Sequence, residues 1–234
     1  MDYSVVIPCF NEEGSIKLIL EKTKDLFKKH NIELILVNNG STDNTKYILE
    51  DLIINYPHAK YINLDKNLGY GGGIIKGLSF CRGDIIGWTH ADLQTDPCDC
   101  ITAFEKFRKD ISKKKIFIKG KRKNRPLWDK FFTFGMSIFE TILLRKVIYD
   151  INAQPTIFPK EFFESWVNPP KDFSLDLYAY YLALKNNYKI CKISVNFYKR
   201  KTGVSKWNTT LYSKICFILR TIKFSLKLRF RNLI

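Results

Sequence analysis

The sequence predicts an α/β domain whose mostly parallel sheet is flanked by helices and followed by a C-terminal amphipathic helix. Three observations carry this. Strand-like and helix-like segments alternate through the first half, and polar segments follow the strand-like ones directly. Near the end, apolar residues recur at helical spacing among basic ones. The alternation implies parallel strands joined by right-handed crossovers. A chain of 234 residues fits one such domain, expected at 1–207, with a basic amphipathic helix at 208–234.

Ser4 to Pro8 reads as the first strand, and a helix from Glu12 to Lys28 sets Ile16, Ile19, Leu20, Leu26 and Phe27 on one face. Ile32 to Val37 is a buried strand, Asn38-Asn39-Gly40-Ser41 a turn, and Asp43 caps a helix carrying Ile48, Leu49, Leu52 and Ile53. Lys60 to Leu64 is the third strand, and Asp84 to Trp88 the fourth. Between them, Gly69-Tyr-Gly-Gly-Gly73 opens a helix near Gly73. Its spacing does not complete Gly-x-Gly-x-x-Gly, because position 74 is Ile, so the glycines read as sites of close backbone packing. Past Ile116 to Arg125, a basic stretch, an apolar helix around Phe131 to Leu144 reads as core or as the lining of an acceptor groove. Tyr188 to Val195 is a further strand. From Thr209 to Ile234, Leu211, Ile215, Ile218, Ile222 and Leu226 recur among Lys214, Arg220, Lys223 and Lys227, as in a helix packed on its own domain or lying on a membrane.

Thirty-nine basic against twenty-three acidic residues leave +16, which favours anionic partners. Nucleic acid is not expected, because the basic clusters at 113–125 contain one aromatic, Phe117. Nucleotide sugars and an anionic membrane surface remain. Nothing approaches about 18 uninterrupted apolar residues, and Met1 leads straight into a strand, so neither a membrane span nor a signal peptide is expected. The six cysteines lack paired spacing and read as free thiols.

Chemistry concentrates after the fourth strand, in Trp88-Thr-His-Ala-Asp-Leu-Gln-Thr-Asp-Pro97. In an extended segment His90, Asp92 and Gln94 point to one side, where an imidazole, a carboxylate and an amide oxygen can share a divalent cation. The alternative for His90 is contact with substrate alone. Taken with Ser4-Val-Val-Ile-Pro-Cys-Phe-Asn-Glu12, this segment resembles the family 2 glycosyltransferases, most closely their dolichol-phosphate-mannose-synthase-like, polyprenyl-phosphate branch.

The resemblance implies a GT-A-type, Rossmann-like fold and nucleoside binding by Pro8, Phe10, Asn11 and Glu12. The family's Asp-Asp-Gly-Ser-x-Asp is here Asn38-Asn39-Gly40-Ser41-Thr42-Asp43, whose amides either contact the base or only shape the loop. The metal motif, usually Asp-Ala-Asp-Leu-Gln, implies His90, Asp92 and Gln94 as ligands of Mn2+ or Mg2+, with imidazole favouring manganese. Arg200-x-x-Gly203-x-Ser205-Lys206 matches a basic loop that closes on phosphate, and Arg122 stands where another phosphate-binding arginine is found. Asp176 lies where relatives acting on hydroxyls keep a general base, or else is an ordinary cap or ion partner. Gln154-Pro155 replaces a Ser-Gly-Phe, which puts acceptor recognition in doubt. The implied activity is inverting sugar transfer from a nucleotide diphosphate to a polyprenyl phosphate at the cytoplasmic membrane face. A hydroxyl of a cell-surface glycan or lipid-linked saccharide is the alternative acceptor, and a non-catalytic membrane-associated relative the alternative protein.

Overall fold

The computed structural model describes residues 2–111, 115–198, 200 and 211–230. Its strands are β1 (Tyr3–Cys9), β2 (Ile32–Asn39), β3 (Ala59–Leu64), β4 (Ile85–Trp88), β5 (Ile116–Lys123), β6 (Thr156–Pro159) and β7 (Lys189–Asn196). They form one seven-stranded sheet in the order β3-β2-β1-β4-β6-β5-β7. The first four pair in parallel and β7 lies parallel to β5, while β6 runs antiparallel to both β4 and β5.

The helices are α1 (Ile16–Lys29), α2 (Thr45–Leu52), α3 (Tyr70–Leu78), α4 (Asp99–Ile111), α5 (Leu127–Leu144), α6 (Lys160–Glu164), α7 (Ser174–Lys185) and α8 (Leu211–Phe230). One face of the sheet is closed by α1, α2 and α4 through Ile16, Leu20, Leu49 and Phe104, the other by α3, α6 and α7 through Ile74, Phe162 and Leu175. Both faces being covered, β1 and β2 are buried along nearly their whole length and read as continuous apolar runs.

The departures from expectation have local causes. On α1 the buried stripe is Ile16, Ile19, Leu20, Thr23 and Phe27, and Leu26 faces out. Thr23 fits because its hydroxyl donates to Ile19 O at 2.8 Å, so no polar group is stranded. The third helix begins at Tyr70 rather than near Gly73, with all three following glycines inside it and buried. The basic stretch at 116–125 conceals β5, whose residues Ile116 to Gly120 are buried before the charged end emerges. Four-residue β6, which follows Pro155 and ends at Pro159, is too short to carry a period.

Helix α5 contributes to the core at its end through Leu143 and Leu144. Its Ser137, Glu140 and Leu144 face inward, while Leu127 (80% exposed), Phe131 (72%), Phe134, Ile138 and Ile142 (72%) form an outward stripe. The tail helix α8 packs against α5 and α7. Ser225 Oγ donates to Glu140 Oε1 at 2.6 Å across that contact, and burial lifts the Glu140 carboxyl to about 7. Ile215, Leu219, Leu226 and Phe230 remain exposed on the outer side of α8. Among the described residues no helix is long and apolar enough to cross a membrane. All six cysteines are free.

Gly77 is where α3 comes nearest the sheet, for a Cβ there would lie 2.3 Å from Val6 Cγ1 and 2.9 Å from Val37 Cγ2. Gly77→Ala should lower stability by about 1–3 kcal/mol through overpacking. Gly135→Ala, on α5 with nothing within 4 Å of its Cβ, should instead raise it by about 0.5–1 kcal/mol. Urea denaturation of the two variants checks the contrast. Equal shifts would mean that α3 does not sit this close.

Candidate active site

The first two polar segments are fastened to each other at the carboxyl ends of β1 and β2. Asn11, at φ 58°, donates from its backbone to Ser41 Oγ at 3.0 Å, and its Oδ1 accepts from Thr42 N–H at 2.8 Å. Glu12 N–H donates to Thr45 Oγ1 at 2.9 Å. Asp43 turns the chain into α2, accepting from Thr45 N–H at 3.0 Å and from Glu13 N–H at 3.2 Å. Pro8 and Phe10 are half-buried beside this clasp.

Asn38 and Asn39 are nearly fully buried. Asn38 Nδ2 donates to Asn63 Oδ1 at 2.7 Å while its Oδ1 accepts from Ser41 N–H at 3.2 Å. Asn39 Nδ2 donates to Gly69 O at 2.9 Å and its Oδ1 accepts from Leu68 N–H at 3.0 Å. Asn38 thus ties the end of β2 to β3, and Asn39 ties it to the loop after β3.

After β4 the chain bends instead of extending, with Leu93 at φ 56°. The alternation survives nonetheless. His90, Asp92, Gln94 and Asp96 are half-exposed, and Ala91, Leu93, Thr95 and Pro97 are buried. Asp92 Oδ1 accepts from Gln94 N–H at 3.1 Å, and Arg200 Nη2 stands 3.7 Å from Asp92 Oδ2 and 3.2 Å from Glu12 Oε1. Burial raises the Glu12 carboxyl, against the pull of Ser15 and of Arg200. Asp96 pairs with Lys22 at 2.6 Å and accepts from Cys98 N–H at 3.0 Å just before α4, so it belongs to the helix start. A cavity of about 550 Å³ opens beside Arg200, lined by Gln94, Asn124, Arg125, Phe197 and Tyr198.

Two expected residues are committed elsewhere. Asp176 is 1% exposed, on the buried side of α7. Gln154 Nε2 donates to its Oδ1 at 2.6 Å, Lys119 Nζ lies 3.9 Å from the same oxygen, and Oδ2 has no hydrogen-bond partner among the described residues. Arg122 is paired with Asp150, which accepts from its guanidinium and from its backbone N–H. Burial pushes the Asp150 carboxyl up, but Arg122 and Arg125 outweigh it and hold it below the usual range. Gly203, Ser205 and Lys206 lie outside the described residues.

Sequence reading missed Lys119 because it sits in an apparent basic run. In the fold it is 1% exposed, and burial lowers its ammonium to about 8 despite Asp176. It also missed Phe173, a single aromatic outside any motif, and Tyr70, whose glycine-rich segment was read only as a site of close backbone packing.

Comparison with known proteins identifies the lineage. Residues 4–168 match Glycosyl transferase family 2. The chain belongs to this family. Among its curated relatives is an undecaprenyl-phosphate 4-deoxy-4-formamido-L-arabinose transferase of Pseudomonas fluorescens, 36% identical over 98 residues, 40% of this chain and 28% of that protein. Another is a dolichol-phosphate mannosyltransferase of Pyrococcus furiosus, 27% identical over 231 residues, 95% of this chain and 64% of that one. The chain therefore spans less than a third of the first relative's length and less than two thirds of the second's. Glucosyl-3-phosphoglycerate synthase of Mycobacterium tuberculosis, solved with uridine diphosphate, superposes with a TM-score of 0.74 at 16% identity, covering 97% of this chain and 79% of that one. The same synthase has been solved with Mn2+, uridine diphosphate and glucosyl-3-phosphoglycerate, with a TM-score of 0.70, 16% identity and the same coverage. The shared fold is the GT-A type.

For this family 2 member, the donor set suits a cation completed by ligand oxygens. Asp92 offers a carboxylate, Gln94 an amide oxygen and His90 an imidazole, whereas among the described residues no three His, Cys, Asp or Glu side chains form a protein-only site.

The buried pair makes a stability prediction. Lys119→Met alone strands Asp176 and should cost about 3–5 kcal/mol, while Lys119→Met with Asp176→Leu should recover most of it. Because the Lys119 pKa is depressed to about 8 from 10.5, the unfolded chain holds more protons between those values. Its contribution to stability therefore rises with pH across that window. Urea denaturation at pH 7.5 and 9.5 should show wild type gaining stability relative to the double variant between the two, because the buried thiols, raised in both proteins, cancel in the difference.

Proposed function

We propose that the chain transfers a sugar from a nucleotide-diphosphate donor, with inversion, to a polyprenyl phosphate at a membrane face. The observation that supports this most is the state of the carboxylates. Asp176 is sealed against Gln154 and Lys119, and Glu12 and Asp92 both face Arg200. None is placed as a free general base. A phosphate acceptor is already ionised near neutral pH and needs none, whereas a hydroxyl does.

In this reading Pro8, Phe10, Asn11 and Glu12 flank the nucleoside, with Asn38, Asn39 and Asp43 shaping the wall behind it. The acceptor oxygen attacks the anomeric carbon from the face opposite the diphosphate. The bond to the diphosphate breaks, and its electron pair leaves on the diphosphate oxygen. Arg200 supplies positive charge beside Asp92, and its Nε is buried without a partner among the described residues. Such an unmade bond costs about 1–3 kcal/mol, which an arriving phosphate oxygen offsets. Lys206 and Ser205 are proposed to act with it. A divalent cation, Mn2+ in this reading, would be held by His90, Asp92 and Gln94 and would neutralise the leaving diphosphate. Arg122 is proposed to act through Asp150, keeping the end of β5 in place, and Asp176 to act as an ion partner.

Membrane placement rests on the exposed stripes of α5 and α8 and on Arg220, Lys223 and Lys227 beside the latter. Apolar faces bordered by basic residues suit an anionic bilayer surface. The undecaprenyl-phosphate and dolichol-phosphate acceptors named for relatives point the same way.

A screen of nucleotide sugars with Mn2+ should yield turnover with a polyprenyl phosphate and not with the matching polyprenol; comparable rates with both would defeat the base-free reading. Asp92→Asn and Arg200→Ala should each lower kcat/KM by about 10²–10³, on the scale of one preorganised charge, with nucleoside affinity nearly unchanged. Full activity in Asp92→Asn would sink the cation-centred mechanism.

Binding to anionic vesicles should fall with added salt, since each basic residue at the surface contributes about 1 kcal/mol within a Debye length. Phe131→Glu with Ile142→Glu should weaken it further. Equal sedimentation with neutral and anionic vesicles would remove the interfacial placement.

A further inference from the structure

Tyr70 lies in the glycine-rich segment that opens α3, and it joins the buried polar cluster to the half-exposed edge of the site. Its ring lies between Phe173, with centroids 4.5 Å apart and planes 10° apart, and His90, at 5.5 Å and 27°. Its hydroxyl is 3.4 Å from Gln154 Nε2, the group that donates to Asp176 Oδ1 at 2.6 Å. Lys119 Nζ donates to Thr156 Oγ1 at 3.3 Å, and Thr156 Oγ1 donates to Gln154 Oε1 at 2.9 Å, so the amide that meets Tyr70 is fixed at both ends. Burial, and then the charge of Asp176, hold the phenol well above its ordinary pKa.

The other side of the stack is equally constrained. Gly69 sits at φ 83°, where a Cβ would come within 2.4 Å of Lys171 O, and Gly72 N–H donates to the same carbonyl at 3.0 Å. The loop leading to Phe173 is thereby pinned to the first turn of α3. Among the described residues His90 has no hydrogen-bond partner. Its ring is stacked on Tyr70.

We infer that Tyr70 is a positioning residue that holds the His90 imidazole beside Asp92 and Gln94 by stacking, while the Gln154, Asp176 and Lys119 cluster holds Tyr70. The inference rests on the reading of His90 as a cation donor. A ligating imidazole is ordinarily oriented through a hydrogen bond from its second nitrogen. Here a ring face does that work, and aromatic stacking is selective for offset, near-parallel geometry. The cation affinity of this site should therefore depend on the aromatic face of residue 70 more than on its hydroxyl.

The test pairs an NMR signature with cation binding. The chain has three histidines, and His90→Gln assigns the third. In wild type the His90 ring protons should carry an upfield ring-current shift, which Tyr70→Phe keeps and Tyr70→Leu abolishes. Mn2+ binding, followed by loss of the free-ion EPR signal with inorganic pyrophosphate as the diphosphate probe, should weaken ~10-fold in Tyr70→Leu and change less than ~2-fold in Tyr70→Phe. In a His90→Ala background, Tyr70→Leu should add nothing further. Unmoved His90 protons in Tyr70→Leu would overturn the inference, as would a full additional loss of Mn2+ affinity in the His90→Ala background. If the protons move as expected while wild type binds no Mn2+, the cation reading falls and the stack remains what orients His90.

Discussion

The parallel pairing of β1 with β2 and β4 is the constraint on which the site depends. Cys9 lies opposite Asn38 and Val6 opposite Trp88, so three segments far apart in sequence leave the sheet at one edge. Open α/β sheets bind ligands beyond the carboxyl ends of their strands. Pairing alone brings the loops only to the same region. The hydrogen bonds from Asn11, Glu12 and Glu13 to Ser41, Thr42, Thr45 and Asp43 convert proximity into a fixed wall.

Charge is arranged around that wall in two layers. At the edge, Arg200 balances Glu12 and Asp92 where water and ligand have access. Behind it, Lys119 balances Asp176 out of reach of solvent, at the desolvation cost that lowers its ammonium to about 8. The first layer, being partly exposed, can exchange partners. The second cannot do so without opening the core. Tyr70, touching His90 on one side and Gln154 on the other, joins them.

Much of the first half was legible in the sequence, because parallel strands buried on both faces announce themselves as apolar runs and their helices as 3.6-residue periods. The second half was not. β6 has four residues, too few for a period, and β5 carries lysines at 119, 121 and 123, of which the first is buried against a carboxylate supplied 57 positions later. That pairing is a tertiary fact with no local signature. The same limit applied to the site. His90, Asp92 and Gln94 could be found by spacing, and their half-exposed alternation followed even though the chain bends at Leu93. Arg122 matched a motif position, but Asp150, its partner, gave no reason in the sequence to expect the pair.

The exchange of two family carboxylates for Asn38 and Asn39 has a structural reason. Asn39 faces a donor, Leu68 N–H, and an acceptor, Gly69 O, at once. Asn38 likewise accepts from Ser41 N–H and donates to Asn63 Oδ1. A carboxylate only accepts, so an aspartate at 39 would set two oxygens against one another at the Gly69 carbonyl. Gly73 reinforces the point, since a Cβ there would lie 2.9 Å from Asn39 Nδ2. The side chain is enclosed by backbone that an amide can satisfy and a carboxylate cannot. The amides therefore exchange negative charge for a fixed junction of the β2 end with β3 and the loop after it. Glu12, Glu13, Asp43, Asp92 and Asp96 remain as carboxylates along the three edge segments. In the proposed mechanism, fewer negative charges would then oppose a diphosphate beside Arg200.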